Sequence, residues 1–242
     1  MTDPSGAPDP DDPLFWRIGE IAGVRFGFTD ARLDLGRGDT EPERAARERA
    51  GAALGARCTV AMRQVHGRDV ATVDGPLDPW PEADALVTRT PGVGLLVRVA
   101  DCTPIVLVDT RRPGVAVVHA GRDGLVRGVL QAAVEALGSS GLRAVVGPRV
   151  CGRCYELPGE LADAVEHSVP GTRTTTSWGT PAVDVGAGVV SVLTDLGVEV
   201  DDLGAETCTL EDERFSSHRR DAAAAGRMGA IALLTETRGA AA

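Results

Sequence analysis

Aromatic side chains are scarce in this chain, at 3% of 242 residues. An aromatic-rich core is therefore excluded, and any core has to be built from Val, Leu, Ile and Ala. An excess of basic charge is also missing. The formal net charge is −10, which argues against a phosphate-backbone-binding face and so against a nucleic-acid partner. A local basic pocket for one small anion remains compatible with that total. No run approaches the ~18–20 apolar residues of a membrane helix, so no membrane partner is expected. Neither a GxGxxG nor a Walker pattern occurs, which weakens a dinucleotide or nucleoside-triphosphate reading. The first residues, MTDPSGAPDPDDP, lack the apolar stretch of a signal peptide, and residues 1–18 are expected to form a disordered acidic, Pro-rich tail. Residues 237–242 are expected to be a flexible C-terminal tail. Five cysteines without an export signal point to free thiols in a reducing cytoplasm. A monomer is expected.

What is present is 43% hydrophobic residues, enough to bury one sizeable core across residues 19–236. Three short runs stand out, Gly94–Val99, Pro104–Asp109 and Gly114–His119, each rich in Val, Leu and Ile and each of strand length. Val24–Thr29, Arg57–Gln64, Asp69–Val73, Arg143–Val146, Glu206–Leu210 and Met228–Leu234 are further predicted strands. Helices are predicted over Glu41–Leu54, with Thr40 as cap and Gly55 as stop, and over Leu125–Leu137, Pro158–His167 and Gly186–Leu196. A polar Thr-rich link joins the last two. The short breaks between Gly94 and His119 suit hairpins rather than parallel crossovers. The expected class is α+β, a mixed sandwich with helices packed outside the sheets.

The chain has only four histidines. His66 follows Gln64-Val65 and precedes a glycine. His119 ends an apolar run, and Cys102 lies in the break between two others. Two imidazoles and one thiolate make a three-ligand set that leaves the fourth position of a catalytic zinc open. Their spacing is too long for a local finger, so convergence would depend on the fold. The bland alternative is a small buried cysteine and two hydrogen-bonded histidines. Cys151-Gly152-Arg153-Cys154 forms a CxxC that invites a redox or zinc reading but lacks a second pair. Cys58 and Cys208 read as core.

Several ordered segments carry a resemblance. They are Arg63-Gln64-Val65-His66-Gly67, Ala83-Asp84-Ala85-Leu86-Val87-Thr88, Ala100-Asp101-Cys102-Thr103-Pro104 and Val118-His119-Ala120-Gly121. Gly147-Pro148, Cys154-Tyr155-Glu156, Cys208-Thr209, Phe215-Ser216, Arg219-Arg220-Asp221 and Gly226-Arg227-Met228 follow in order. Together they resemble the laccase-domain family, also called YfiH or DUF152, whose bacterial members carry the names polyphenol oxidase, purine nucleoside phosphorylase and peptidoglycan editing factor. The resemblance implies a single-domain α/β/β/α sandwich with mixed sheets. It also implies a catalytic zinc held by His66, Cys102 and His119, and phosphorolysis of adenosine, inosine and methylthioadenosine, with adenosine deamination as a further activity.

Copper is the less expected metal, because a multicopper cluster needs many more histidines than four. The expected partners are a nucleoside and phosphate. A phosphate seat is expected from Arg219, Arg220 or Arg49, with Gln64 beside the substrate. The sequence departs from the family after His119. The usual Gly-Trp-Arg-Gly is here Gly121-Arg122-Asp123-Gly124, and the early loop is shortened to Asp30–Asp34. Arg122 is a candidate replacement for the missing cation, and His218 a candidate for lining the pocket. Two other functions stay open. One is a Cys-His amide hydrolase editing peptidoglycan precursors, with Cys102 as nucleophile and His119 as base. The other is a non-catalytic relative.

Overall fold

A strand that is apolar at every position needs cover on both faces. β6 (Val93–Val99), β7 (Thr103–Asp109) and β8 (Val115–Ala120) are buried along their whole length. In the computed structural model, which describes residues 14–236, that cover comes from a second sheet on one side and helices on the other. The first sheet has the order β1-β2-β13-β6-β3, adding β1 (Arg17–Ile21), β2 (Val24–Phe28), β3 (Cys58–Val60) and β13 (Met228–Leu234). The second has the order β12-β9-β7-β8-β5-β4, with β4 (Val70–Thr72), β5 (Ala85–Thr88), β9 (Leu142–Val146) and β12 (Glu199–Asp202). Both are mixed: β3 runs parallel to β6, β4 to β5 and β12 to β9, while the remaining pairs are antiparallel.

Alternate residues of each strand sort into layers, as the pleat requires. Val106 and Val108 of β7 meet Leu95 and Val97 of β6 and Ala230 and Ala232 of β13 between the sheets. Ile105 and Leu107 face the other way, against Leu130, Ala133 and Leu137 of α3 (Val129–Leu137) and Val189 and Leu193 of α5 (Val185–Asp195). On the outer face of the first sheet, Leu96, Ile231 and Leu233 pack on Ala46, Ala50 and Leu54 of α1 (Glu41–Leu54). The result is the α/β/β/α sandwich, its centre mainly aliphatic with Phe26, Phe28 and Phe215 buried among the valines.

α1 has the expected bounds. Its N-terminus is organised by Glu43, whose carboxylate accepts the Thr40 N–H and hydroxyl, both at 2.8 Å, and the N–H groups of Arg37 and Gly38. Thr40 and Glu43 thus form a capping box, in which the Thr40 hydroxyl also donates to the Glu43 carboxylate.

Other expectations need correction. The helix expected over Leu125–Leu137 is two helices, α2 (Arg122–Arg127) and α3, because Gly128 takes the left-handed conformation at φ 86°. The stretch Glu206–Leu210 is not a strand but a pair of turns, closed by Thr207 N–H on Gly204 and by Asp212 N–H on Cys208. The Thr-rich link after α4 (Gly159–Ser168) is a hairpin of β10 (Arg173–Thr175) and β11 (Pro181–Val183). β12 escapes prediction because it is a polar edge strand, Glu-Val-Asp-Asp. The fold also begins ahead of the expected boundary at residue 19, with Phe15 buried and β1 starting at Arg17. Residues 1–13 and 237–242 lie outside the described residues.

The correction that matters most for the site concerns the first break. β7 and β8 form a hairpin, but β6 and β7 do not pair; they belong to different sheets. Ala100–Cys102 is the point where the chain crosses from one sheet to the other.

Candidate active site

An acid placed at the mouth of a wholly apolar strand must find partners at once, because burial of an unpaired carboxylate is costly. Asp84 precedes β5 and is fully buried. Its Oδ1 accepts the N–H of His66 at 3.0 Å, and its Oδ2 accepts those of Gly67 at 2.6 Å and Val65 at 3.3 Å. This anchors a turn in which His66 sits at φ 58°, a left-handed conformation unfavourable for a side chain with a Cβ. The same Oδ1 lies 2.8 Å from His119 Nδ1. A carboxylate at that distance holds the proton on Nδ1, so Nε2 is the nitrogen left for Cys102 or a metal, which would displace its proton.

Cys102 arrives from the sheet crossing. Asp101 takes φ 82° there, and its carboxylate is fully engaged. Oδ1 accepts the Thr209 hydroxyl at 2.6 Å, and Oδ2 accepts the Arg219 N–H at 2.7 Å. The strained corner is thus tied to the segment that follows β12, and it turns the Cys102 thiol toward His66 and His119. The donor atoms of His66, Cys102 and His119 all lie within 4.8 Å of one another. His66 Nε2 is 3.9 Å from Cys102 Sγ, and the two imidazoles meet edge to face. Gly121 closes the cluster from behind. A Cβ there would come within 2.9 Å of His66 Cδ2 and 3.1 Å of Cys102 Sγ.

Burial alone would raise the Cys102 pKa, but His119 and His66 outweigh it and pull the thiol down to about 6. Burial likewise disfavours charge on His119, yet Cys102 and the Asp84 hydrogen bond push it up to about 9. The sulfur is therefore a thiolate near neutrality, the form that binds metal or attacks an electrophile. As a donor set, one thiolate and two imidazoles oriented by a buried carboxylate fit a divalent ion such as zinc.

The cluster forms one wall of a cleft of about 790 Å³ that is lined by six arginines: Arg37, Arg63, Arg98, Arg122, Arg219 and Arg227. Arg63 pairs with Glu82 and Arg122 with Asp123. The side chains of Arg37, Arg98, Arg219 and Arg227 are held by backbone carbonyls. Among the described residues none of these four has a carboxylate partner. The Arg98 Nε–H is buried with no acceptor. Arg219 also stacks 4.2 Å over the Tyr155 ring. Strong positive charge is thus concentrated in one cleft of a chain with net charge −10.

Of the residues expected at the substrate, Arg219 lines the cleft and so does His218. Arg220 does not. Its guanidinium binds the Thr209 and Phe215 carbonyls and Asp221, bracing a loop. Arg49 is exposed on α1 and lies outside the cleft, whose lining takes nothing from that helix. Gln64 lines the cleft, but both ends of its amide are spent on the backbone of Arg98. Arg122 points into the cleft with its charge offset by Asp123.

The positioning roles of Asp84 and Asp101, and the arginines Arg37, Arg98 and Arg227, were not foreseen. Two sequence signals could have found part of this: an acid just ahead of each of two buried strands, Asp84 before β5 and Asp101 before β7, and Arg98 inside an otherwise apolar one.

This arrangement can be set beside known proteins. The family described as multi-copper polyphenol oxidoreductase laccase matches residues 23–235. The chain belongs to it. A Streptomyces griseus relative named purine nucleoside phosphorylase ORF3 is 48% identical over 224 residues, 82% of this chain and 89% of that protein. The Streptomyces coelicolor purine nucleoside phosphorylase SCO2081 is 43% identical over 83% of this chain and 92% of that protein. Among solved structures, a DUF152-family protein of Neisseria meningitidis, NMB0706, superposes with a TM-score of 0.79 at 28% identity, covering 89% of this chain and 96% of that one. The Bacillus licheniformis protein YfiH shares the fold, with a TM-score of 0.78 at 23% identity over 93% of this chain and 98% of that one. Among the described residues no helix is long and apolar enough to cross a membrane.

Proposed function

We propose that this chain is a zinc-dependent purine nucleoside phosphorylase acting on adenosine, inosine and methylthioadenosine. The observation that carries the reading is the set of four arginines without carboxylate partners around a Cys/His₂ centre. Planar guanidinium groups bind phosphate bidentately and stay charged. The names of the Streptomyces relatives support the same reading.

In this mechanism Arg37, Arg98, Arg219 and Arg227 seat the phosphate against the ribose. A phosphate oxygen forms the new bond to C1′ while the C1′–N9 bond breaks, and its electron pair leaves with the purine, which then takes up a proton. His66, Cys102 and His119 would hold the zinc, which would supply Lewis acidity to the site. Asp84 keeps His119 in the tautomer that presents Nε2 to the cleft, and Tyr155 packs against Arg219 to limit its motion. A multicopper oxidase is disfavoured, since the whole chain has four histidines.

Adenosine deamination belongs to this reading as a secondary activity. It would use water in place of phosphate, but zinc deaminases also use a glutamate as acid and base. Among the described residues the only acid lining the cleft is Asp101, and it is already spent.

The line Cys102, His119, Asp84 favours a second reading as a Cys-His amide hydrolase, with thiolate, imidazole and carboxylate in nucleophile, base and orienting roles. One experiment separates the two. Purified protein is given adenosine with and without phosphate, and adenine and ribose 1-phosphate are measured. Release that requires phosphate, with Arg219→Lys or Arg227→Lys raising KM for phosphate at unchanged zinc content, is the expected result. Absence of base release, with a thiol-dependent amidase activity that survives zinc removal, would establish the hydrolase instead.

A further inference from the structure

Away from the cleft, the fold completes a second set of metal-type donors. Cys151 and Cys154 stand on the loop after β9, and Cys208 and Glu211 on the loop after β12. The three sulfurs and a carboxylate oxygen all lie within 4.8 Å of one another. We propose that Cys151, Cys154, Cys208 and Glu211 bind a zinc ion that fastens these two loops together.

The local geometry is that of two facing turns, each presenting ligands three residues apart. Cys154 N–H and Tyr155 N–H both close on the Cys151 carbonyl at 3.0 Å, and Glu211 N–H closes on that of Cys208 at 3.2 Å. Paired CxxC-type turns are the usual frame of a structural zinc, and here a glutamate takes one of the four places. A tetrahedral ion with zinc–sulfur bonds of about 2.3 Å separates its sulfurs by roughly 3.8 Å, inside the 4.8 Å that bounds every pair of donors here. The Cys151 N–H also points at Cys208 Sγ, 3.5 Å away, the kind of backbone donor that supports a ligating thiolate.

Access and charge agree with this. Cys154 and Cys208 are buried, while Glu211 is exposed at the mouth. The adjoining cavity, about 760 Å³, is rimmed by Asp184, Glu206, Asp212 and Glu213 against a single arginine, Arg153. An acidic mouth favours entry of a cation, and three thiolates select zinc over magnesium or calcium. A disulfide would join only two of the three sulfurs and leave Glu211 without a role.

The position gives the ion a consequence. Tyr155 directly follows Cys154, and Arg219 both stacks on its ring and donates to the Glu156 carbonyl at 3.0 Å. Fastening the two loops therefore holds the Tyr155–Arg219 wall of the cleft in place.

The test counts and identifies metal, and so does not depend on which reaction the cleft performs. Full-length protein purified after zinc loading should carry about two ions per chain, and Cys102→Ala and the double variant C154S/C208S should each carry about one. Cobalt added to metal-free Cys102→Ala protein should give intense sulfur-to-cobalt absorption, since all of it must come from the second site. Glu211→Ala, at an exposed position that leaves the fold intact, should weaken zinc in competition with a chelator by about tenfold or more. The proposal is overturned if Cys102→Ala protein shows no thiolate–cobalt absorption. It is also overturned if Cys151, Cys154 and Cys208 all react freely with thiol reagent in the zinc-loaded protein. A native mass lower by two hydrogens, marking a disulfide among them, overturns it as well.

Discussion

Replacing Asp84 with asparagine isolates the residue on which the candidate active site depends. Four donors converge on its carboxylate: the Nδ1–H of His119 and the backbone N–H groups of Val65, His66 and Gly67. Two of them meet Oδ1 and two meet Oδ2, and asparagine keeps only one of these oxygens as an acceptor. Whichever way the amide turns, two donors, buried or part-buried, face an NH₂ group. Each orphaned donor costs about 1–3 kcal/mol, so the substitution should destabilise the fold by about 3 kcal/mol. For a chain of this size that lowers Tm by roughly 6–12 °C. The loss of an orienting carboxylate should also weaken zinc by about 10–100-fold. Thermal denaturation with and without zinc, together with chelator competition, measures both effects. An Asn variant with unchanged Tm and unchanged zinc affinity would refute the anchoring role and the tautomer assignment of His119.

Gly121→Ala should abolish zinc binding at the Cys102 centre while circular dichroism stays native, because the new Cβ meets His66 and Cys102 rather than the core; normal zinc content in this variant would show that the cluster tolerates displacement. Cys102→Ala should remove that zinc altogether, and full occupancy would take the thiolate out of the ligand set. Gly128→Ala forces a Cβ onto a residue at φ 86° and should cost about 1–2 kcal/mol, read as a lower urea midpoint. Glu43, whose pKa is lowered from 4.5 to about 2 chiefly by the Thr40 and Gly38 N–H groups, supplies stability that is fully present above its unfolded value. That stability is lost as pH falls toward about 2. After solvent screening it is worth about 1 kcal/mol, so the gap between wild type and Glu43→Gln in denaturant midpoints should be present at neutral pH and close in acid. A gap that is constant with pH would remove Glu43 from the cap.

Local chemistry was enough to read much of this protein. The apolar runs around Cys102 had to be buried strands, since nothing else in the chain could cover both faces of so much Val and Leu. Thr40, Glu43 and Gly55 bound α1 by turn and capping preferences that act over a few residues, and those bounds hold. His66, Cys102 and His119 were legible as metal-type side chains delivered to strand ends. Their meeting was not, because it depends on β6 and β7 lying in different sheets, a fact about long-range pairing that no local pattern encodes. The same holds for the charge of the cleft. Arg219 and Arg220 are neighbours in sequence, yet one faces the cleft and the other binds carbonyls behind it. Arg37, Arg98 and Arg227 come from three distant segments, and Cys208 stands 57 residues beyond Cys151. Side-chain chemistry is a property of each residue, whereas which groups share a cavity is settled only when the two sheets close on each other.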